Sequence, residues 1–179
     1  MGQVATPLHV LVVCTGNLCR SPLAERLLVA RLAGRHTVRS AGTHGLDAEE
    51  MDPAAAAELT RRGGDATGFR SRRLRRADVQ QADLVLTMTT RQRSIVLAEE
   101  PAALPRTFTL LEFAHLLQTS DRRHAAGSDS SIGALAGRRS TATLDRYDVP
   151  DPIGASARVH AEVAAQIEAA VDVVAARLS

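Results

Sequence analysis

Five residues separate Cys14 from Arg20, and Ser21 follows directly. A short loop of that length can curl until successive backbone N–H groups point inward and cradle an anion. Arg20 can hold two oxygens of a phosphate through its planar fork. A helix starting near Ser21 adds its unpaired N–H groups and the positive end of its dipole. The same positive field favours the thiolate of Cys14, which puts a nucleophile at the floor of a phosphate cradle. Thiolate attack on phosphorus yields a cysteinyl-phosphate, which water then hydrolyses. In a chain this rich in Arg the spacing alone could arise by chance, or leave Cys14 as a buried structural thiol. The motif gains force from the apolar run before it, Gly16-Asn17 inside it, and Ser21-Pro22 after it.

The elements around the motif are legible. Leu8–Val13 is a continuous apolar, β-branched run, the pattern of a strand buried on both faces of a parallel sheet. Ser21 suits an N-cap and Pro22 the first helical position. Leu23, Leu27, Leu28 and Leu32 then form an apolar stripe, stopped by Gly34. Further strands are predicted at Thr37–Ala41, Leu84–Met88 and Arg106–Leu110. Helices are predicted from Asp52-Pro53 to Gly63-Gly64, over Arg91–Ala98 with Thr89 as cap, and over Leu111–Leu117. Residues 118–146 are rich in Ser, Gly, Arg and Asp, and read as a long flexible loop insertion. Tyr147–Gly154 is an acidic turn with two prolines. Ala155–Leu178 places Val159, Val163, Ile167, Val171, Val174 and Leu178 on one helical stripe. Alternating strands and helices predict an α/β fold: one doubly wound domain over residues 1–179, a four-stranded parallel sheet with helices on both faces. Ligands of such sheets bind beyond the carboxyl ends of the strands, where the loop at 14–20 begins.

Composition narrows the chemistry. All 22 Lys+Arg residues are Arg, so lysine Schiff bases and the GxxxxGK[ST] nucleotide loop are excluded. There is no Trp, and Phe69, Phe108, Phe113 and Tyr147 are the aromatics. A net charge of +2 gives no support for a nucleic-acid partner. No apolar run reaches the ~18 residues of a membrane span, and no signal-like leader is evident, so the expected location is cytoplasmic. Cys14 and Cys19 are the two cysteines; four-cysteine zinc sites and disulfide scaffolds are excluded. The histidines are scattered without ligand spacing, so neither metal nor cofactor is predicted. Among carboxylates near the acidic turn, Asp145, Asp148 and Asp151 are equal candidates for an acid catalyst.

The segment Val13-Cys14-Thr15-Gly16-Asn17-Leu18-Cys19-Arg20-Ser21-Pro22 closely resembles the signature of the low-molecular-weight protein tyrosine phosphatases. Arg39–Thr43, Ala82–Met88 and Val149–Gly154 resemble further bacterial-type segments of that family. The resemblance implies hydrolysis of phosphotyrosine in proteins, a bacterial tyrosine kinase among the candidate partners, with inorganic phosphate as product. It implies that Cys14 is the nucleophile and Arg20 the phosphate clamp. Thr15, Gly16, Asn17, Leu18 and Cys19 would form the loop, with Ser21 favouring the thiolate and Ser40 supporting Asn17. It also selects Asp151 as the acid that protonates the leaving phenolate and then the base for water. Cys19 is either a small buried loop residue or, as the resemblance suggests, a reversible disulfide partner for Cys14.

This chain departs from the family in several places. Phe69 stands where many members carry His. Ile153-Gly154 follow the Asp-Pro where some members have a Tyr pair, which leaves His44 and Leu46 to line the opposite wall. Tyr147 is a rim residue, a phosphorylation target or a plain loop tyrosine. Arg70, Arg72, Arg73, Arg75 and Arg76 form either a solvated face or a surface for acidic phosphoprotein segments. Two other activities occur on the same fold. Arsenate reductases relay a disulfide through late cysteines, which are missing after Cys19. Protein arginine phosphatases carry Thr where Leu18 stands, and an apolar Leu18 favours an aromatic leaving group. A non-catalytic phosphopeptide-binding module would need neither Cys14 nor Asp151.

Overall fold

The computed structural model describes residues 6–121, 131–139 and 146–179. Strands β1 (His9–Cys14), β2 (Thr37–Gly42), β3 (Leu84–Thr87) and β4 (Thr107–Thr109) form one parallel sheet in the order β2-β1-β3-β4. The register pairs Val13 with Ala41 on one side and with Thr87 on the other, so β1 is central. Successive β1 side chains alternate between two cores, as the pleat requires. Val10 and Val12 join the larger core, while Leu11 and Val13 join the smaller.

Helices cover both faces. The larger core is closed by α1 (Arg20–Leu32), α2 (Pro53–Arg61), α5 (Leu110–Asp121) and α7 (Ala157–Leu178). The smaller is closed by α3 (Arg76–Gln81), α4 (Thr90–Glu99) and a 3-10 helix at Pro101–Arg106. With no Trp, Phe108 and Phe113 supply the bulk, their ring centroids 5.0 Å apart. The apolar stripe of α7 is buried at Val163, Ile167, Val171 and Val174.

Most predicted elements stand where the pattern puts them, and the differences have local causes. Ser21 is not an N-cap: α1 starts at Arg20, its N-cap is Cys19, and no side chain caps it. The Ser21 hydroxyl turns instead toward the Cys14 sulfur. Asp52, Thr89 and Ser156 do cap their helices, each accepting a backbone N–H three residues on. Helix α3 escaped prediction because the arginines around it hide its short apolar signal. Within the stretch read as a loop, α5 continues to Asp121 and a further helix, α6, spans Ile132–Gly137. Buried Leu135 ties α6 to the larger core. The rest of that stretch, 122–130 and 140–145, lies outside the described residues.

Candidate active site

Strand β1 delivers Cys14, 2% exposed, to the carboxyl edge of the sheet. The chain then turns through Asn17, a non-glycine residue at φ 57°. Asn tolerates this left-handed conformation better than most residues. The turn brings Asn17 N–H to 3.2 Å from Cys14 Sγ, and α1 brings the Ser21 hydroxyl to 3.0 Å from the same sulfur. Two donors therefore converge on one buried sulfur.

Asn17 is tied on three sides. Its amide nitrogen donates to Ser21 Oγ at 3.0 Å and to Ser40 Oγ at 2.8 Å, and its carbonyl accepts from Arg72 N–H at 2.9 Å. Ser40, near the end of β2, donates in turn to the Glu25 carboxylate. Burial raises the Glu25 carboxyl above its usual range, and the Ser40 hydroxyl opposes that rise. Phe69 is buried, with the Arg26 guanidinium 5.7 Å from its ring centre. The position where many family members carry His thus holds a buried aromatic ring with a guanidinium over its face.

The loop at 14–17 also rests on backbone. A Cβ added to Gly42 would lie 2.7 Å from Thr15 O and 2.9 Å from Gly16 C. Thr43 N–H and His44 N–H donate to the carbonyls of Cys14 and Thr15, each at 2.9 Å. From the other side Gln92 donates to Thr15 Oγ1 at 3.0 Å, while its carbonyl accepts from the N–H groups of Met88 and Thr89. Sequence reasoning missed Gln92 and Gly42. The Thr89-x-x-Gln92 capping pattern was a visible signal for the former. No local pattern marks Gly42 as the floor of a distant loop.

Arg20 is buried, and its two terminal nitrogens reach the acidic turn. One donates to Val149 O at 3.1 Å, the other to Asp151 Oδ2 at 2.7 Å. Its Nε is buried and has no hydrogen-bond partner among the described residues. The structure separates the carboxylates that chemistry alone left equal. Asp148 accepts from Thr90 N–H at 2.7 Å and so anchors the turn to the start of α4. Asp151 sits half-exposed at the cleft, bound to Arg20. Asp145 lies outside the described residues. A cleft of about 580 Å³ joins Thr15, Arg20, Gln92, Asp151 and His44 with apolar Ile95 and Val149. His44 lines it as expected. Leu46 does not: it is 68% exposed and stands outside the cleft. Leu18 is half-buried beside Gly16, and its carbonyl accepts from Asp52 N–H.

Cys19 is buried on the helix side of the loop, and both cysteines are free thiols. Burial, reinforced by the nearby Asp52 carboxylate, pushes the Cys19 thiol up to about 12. It is therefore a neutral S–H at physiological pH. The predicted loop residues thus come together around Cys14, with Ser40 behind them and Asp151 facing them across Arg20.

Residues 9–126 match the family model described as low molecular weight phosphotyrosine protein phosphatase. The low molecular weight protein-tyrosine-phosphatase Etp of Escherichia coli strain K12 is 41% identical over 98 residues, covering 55% of this chain and 66% of that protein, just under two thirds. A protein-arginine-phosphatase of Geobacillus stearothermophilus is 28% identical over 172 residues, covering 96% of this chain and 97% of that protein. The solved structure of the YwlE arginine phosphatase from that organism superposes with a TM-score of 0.74 at 28% identity, covering 96% of this chain and 93% of that one. The tyrosine phosphatase Wzb from Escherichia coli K30, solved with sulphate, superposes with a TM-score of 0.73 at 26% identity, covering 96% and 98%.

Proposed function

Since the chain belongs to the low-molecular-weight phosphotyrosine protein phosphatase family, we propose that it hydrolyses phosphotyrosine in proteins through a cysteinyl-phosphate on Cys14. The observation that carries this reading is the convergence of Asn17 N–H and Ser21 O–H on a single buried sulfur, with Arg20 and Asp151 joined at the same cleft. Two donors aimed at one sulfur fix its position and its direction of approach to a phosphoryl group. The buried Arg20 Nε, which has no hydrogen-bond partner among the described residues, suits an oxygen of a phosphoryl group, as would loop amides turned toward Cys14.

In the first step the Cys14 thiolate attacks phosphorus and the P–O bond to the phenol breaks. Asp151 gives its proton to the leaving oxygen. Phosphoryl oxygens compete with Asp151 for Arg20, so substrate entry exchanges one partner of the guanidinium for another and frees the carboxyl group. In the second step Asp151 takes a proton from water, whose oxygen attacks phosphorus. The S–P bond breaks, phosphate leaves and the thiolate is regenerated. Ser21 and Asn17 hold the sulfur in line through both steps.

No described helix is long and apolar enough to cross a membrane. A cytoplasmic enzyme acting on phosphotyrosine proteins, a bacterial tyrosine kinase among them, fits this reading. Phosphoarginine is a second reading, favoured by one observation: similarity to an arginine phosphatase extends over 96% of the chain. Leu18 argues for the aromatic leaving group. The test compares phosphotyrosine and phosphoarginine peptides with chelator-treated protein, alongside Cys14→Ser. Hydrolysis of phosphotyrosine that Cys14→Ser abolishes is expected. Faster turnover of phosphoarginine would replace the substrate assignment, and turnover undiminished in Cys14→Ser would end the proposal.

A further inference from the structure

Three metal-ligating side chains, far apart in sequence, meet behind the phosphate loop. Cys19 Sγ, a carboxylate oxygen of Asp52 and a ring nitrogen of His160 all lie within 4.8 Å of one another. Cys19 and His160 are buried and Asp52 is half-buried. Each belongs to the start of a different helix: Cys19 is the N-cap of α1, Asp52 the N-cap of α2, and His160 lies in the first turn of α7. His160 Nδ1 and Asp52 Oδ1 are 3.9 Å apart, too far for a direct hydrogen bond. The fold, not a bond between these two, holds the trio together.

We propose that Cys19, Asp52 and His160 form a binding site for a divalent transition metal of the zinc type. Thiolate, imidazole and carboxylate are the donors that zinc takes, and three protein ligands leave a fourth position for water. Bonds of about 2.0–2.3 Å place the ligand atoms of a tetrahedron roughly 3.3–3.7 Å apart, so the trio needs to contract by about 1 Å. Asp52 Oδ1, the oxygen near His160, also caps α2 by accepting the Ala55 N–H, and its second lone pair is free to face an ion. The positive ends of three helix dipoles oppose a bare cation, but the carboxylate and the thiolate together balance its two charges. On binding, the Cys19 S–H bond breaks, its proton goes to solvent, and a sulfur–metal bond forms with no change of oxidation state. The bound ion pins three helix starts together and occupies the sulfur beside the nucleophile, so Cys19 can no longer pair with Cys14. The ion takes no part in phosphoryl transfer, and the site stands whether or not the substrate reading holds.

The test uses the full chain, untagged, reduced and stripped with chelator, carrying Cys14→Ser so that the nucleophile cannot bind the probe. Cobalt(II) titration is expected to give one equivalent with tetrahedral d–d bands and a thiolate-to-metal charge-transfer band, displaced by Zn²⁺. Zn²⁺ should also raise the Tm, because it binds the folded chain. Cys19→Ser should remove the charge-transfer band. His160→Gln, and Asp52→Asn, which keeps a capping oxygen, should each weaken cobalt binding at least tenfold. The metal-free Tm of each variant separates a lost ligand from a lost fold. Should His160→Gln fail to fold, Asp52→Asn decides alone. The proposal is overturned if the Cys14→Ser protein shows no thiolate band, or if folded Asp52→Asn binds cobalt as tightly as its parent.

Discussion

Asp148 and Asp151 are three positions apart and chemically identical, yet they have different partners. Both line the cleft, but Asp148 is bound by the Thr90 backbone, whereas the Asp151 carboxylate accepts from Arg20 and from the Ile153 N–H. Asp151→Asn is therefore expected to lower kcat by about 100- to 10,000-fold for an aryl phosphate with a poor leaving group. The deficit should shrink as the leaving phenol becomes more acidic. A loss equal across all leaving groups would assign Asp151 a purely structural part. Glu25 offers a second test at this scale. Its carboxyl is raised by burial, so between the unfolded value near 4.5 and the raised folded value the native state holds the extra proton. Native stability must then fall as pH rises through that window. Glu25→Gln keeps an acceptor for Ser40 and removes the titration. Urea melts from pH 4.5 to 7 should show a flatter stability profile than the parent, and an unchanged slope would refute this account of Glu25.

The loop after β1 gets its shape from neighbouring elements. β2 supplies Gly42 and Ser40, α1 supplies Ser21 and Arg20, and α4 supplies Gln92. Gly42 is the most exacting of these contacts, because what a Cβ would meet is backbone, which cannot swing aside. Gly42→Ala should cost about 1–3 kcal/mol and reduce kcat more than tenfold, since the displaced atoms are those that aim the amides. Denaturant unfolding and steady-state assays check both. Wild-type activity in a folded Gly42→Ala protein would mean that the loop tolerates displacement. The run Leu8–Val13, the Leu stripe of α1 and the Val/Ile stripe of α7 were legible, since a period of 2 or 3.6 is a local property. Helix α6 and the last turn of α5 were not, because polar and small residues there mask the few apolar contacts that order them.

At the scale of the whole molecule, arginine does the work of a missing lysine complement. Much of the cluster at 61–76 is paired within the molecule: Arg61 and Arg62 hold Glu58, Arg70 faces Glu50, Arg72 holds Asp78 and Arg76 holds Glu100. Arg72 also donates to Ser40 O, so one of these arginines supports the phosphate loop itself. Neither a plain solvated face nor a docking surface describes the cluster fully. Arg62 links α2 to α7, pairing with Glu58 of the former and with Glu168 of the latter, and donating to Ala161 O, also of α7. Arg62→Lys keeps the charge and loses the fork. It should cost about 1–2 kcal/mol, roughly 3–6 °C in Tm for a domain of this size, with kcat within about twofold. A Tm equal to the parent would show that charge alone suffices there.

By itself the sequence placed the four strands and most of the helices, and it singled out Cys14 and Arg20 as the candidates for nucleophile and clamp. Those depend on short-range periodicity and on a motif contained in ten consecutive residues. Tertiary structure alone decided that Asp151 reaches Arg20 while Asp148 is held by Thr90, that Gly42 and Gln92 shape a loop far from them in the chain, and that Cys19, Asp52 and His160 meet in one cluster. These are relations between segments brought together by sheet pairing and core burial. No local pattern of side chains encodes a distance across the folded chain.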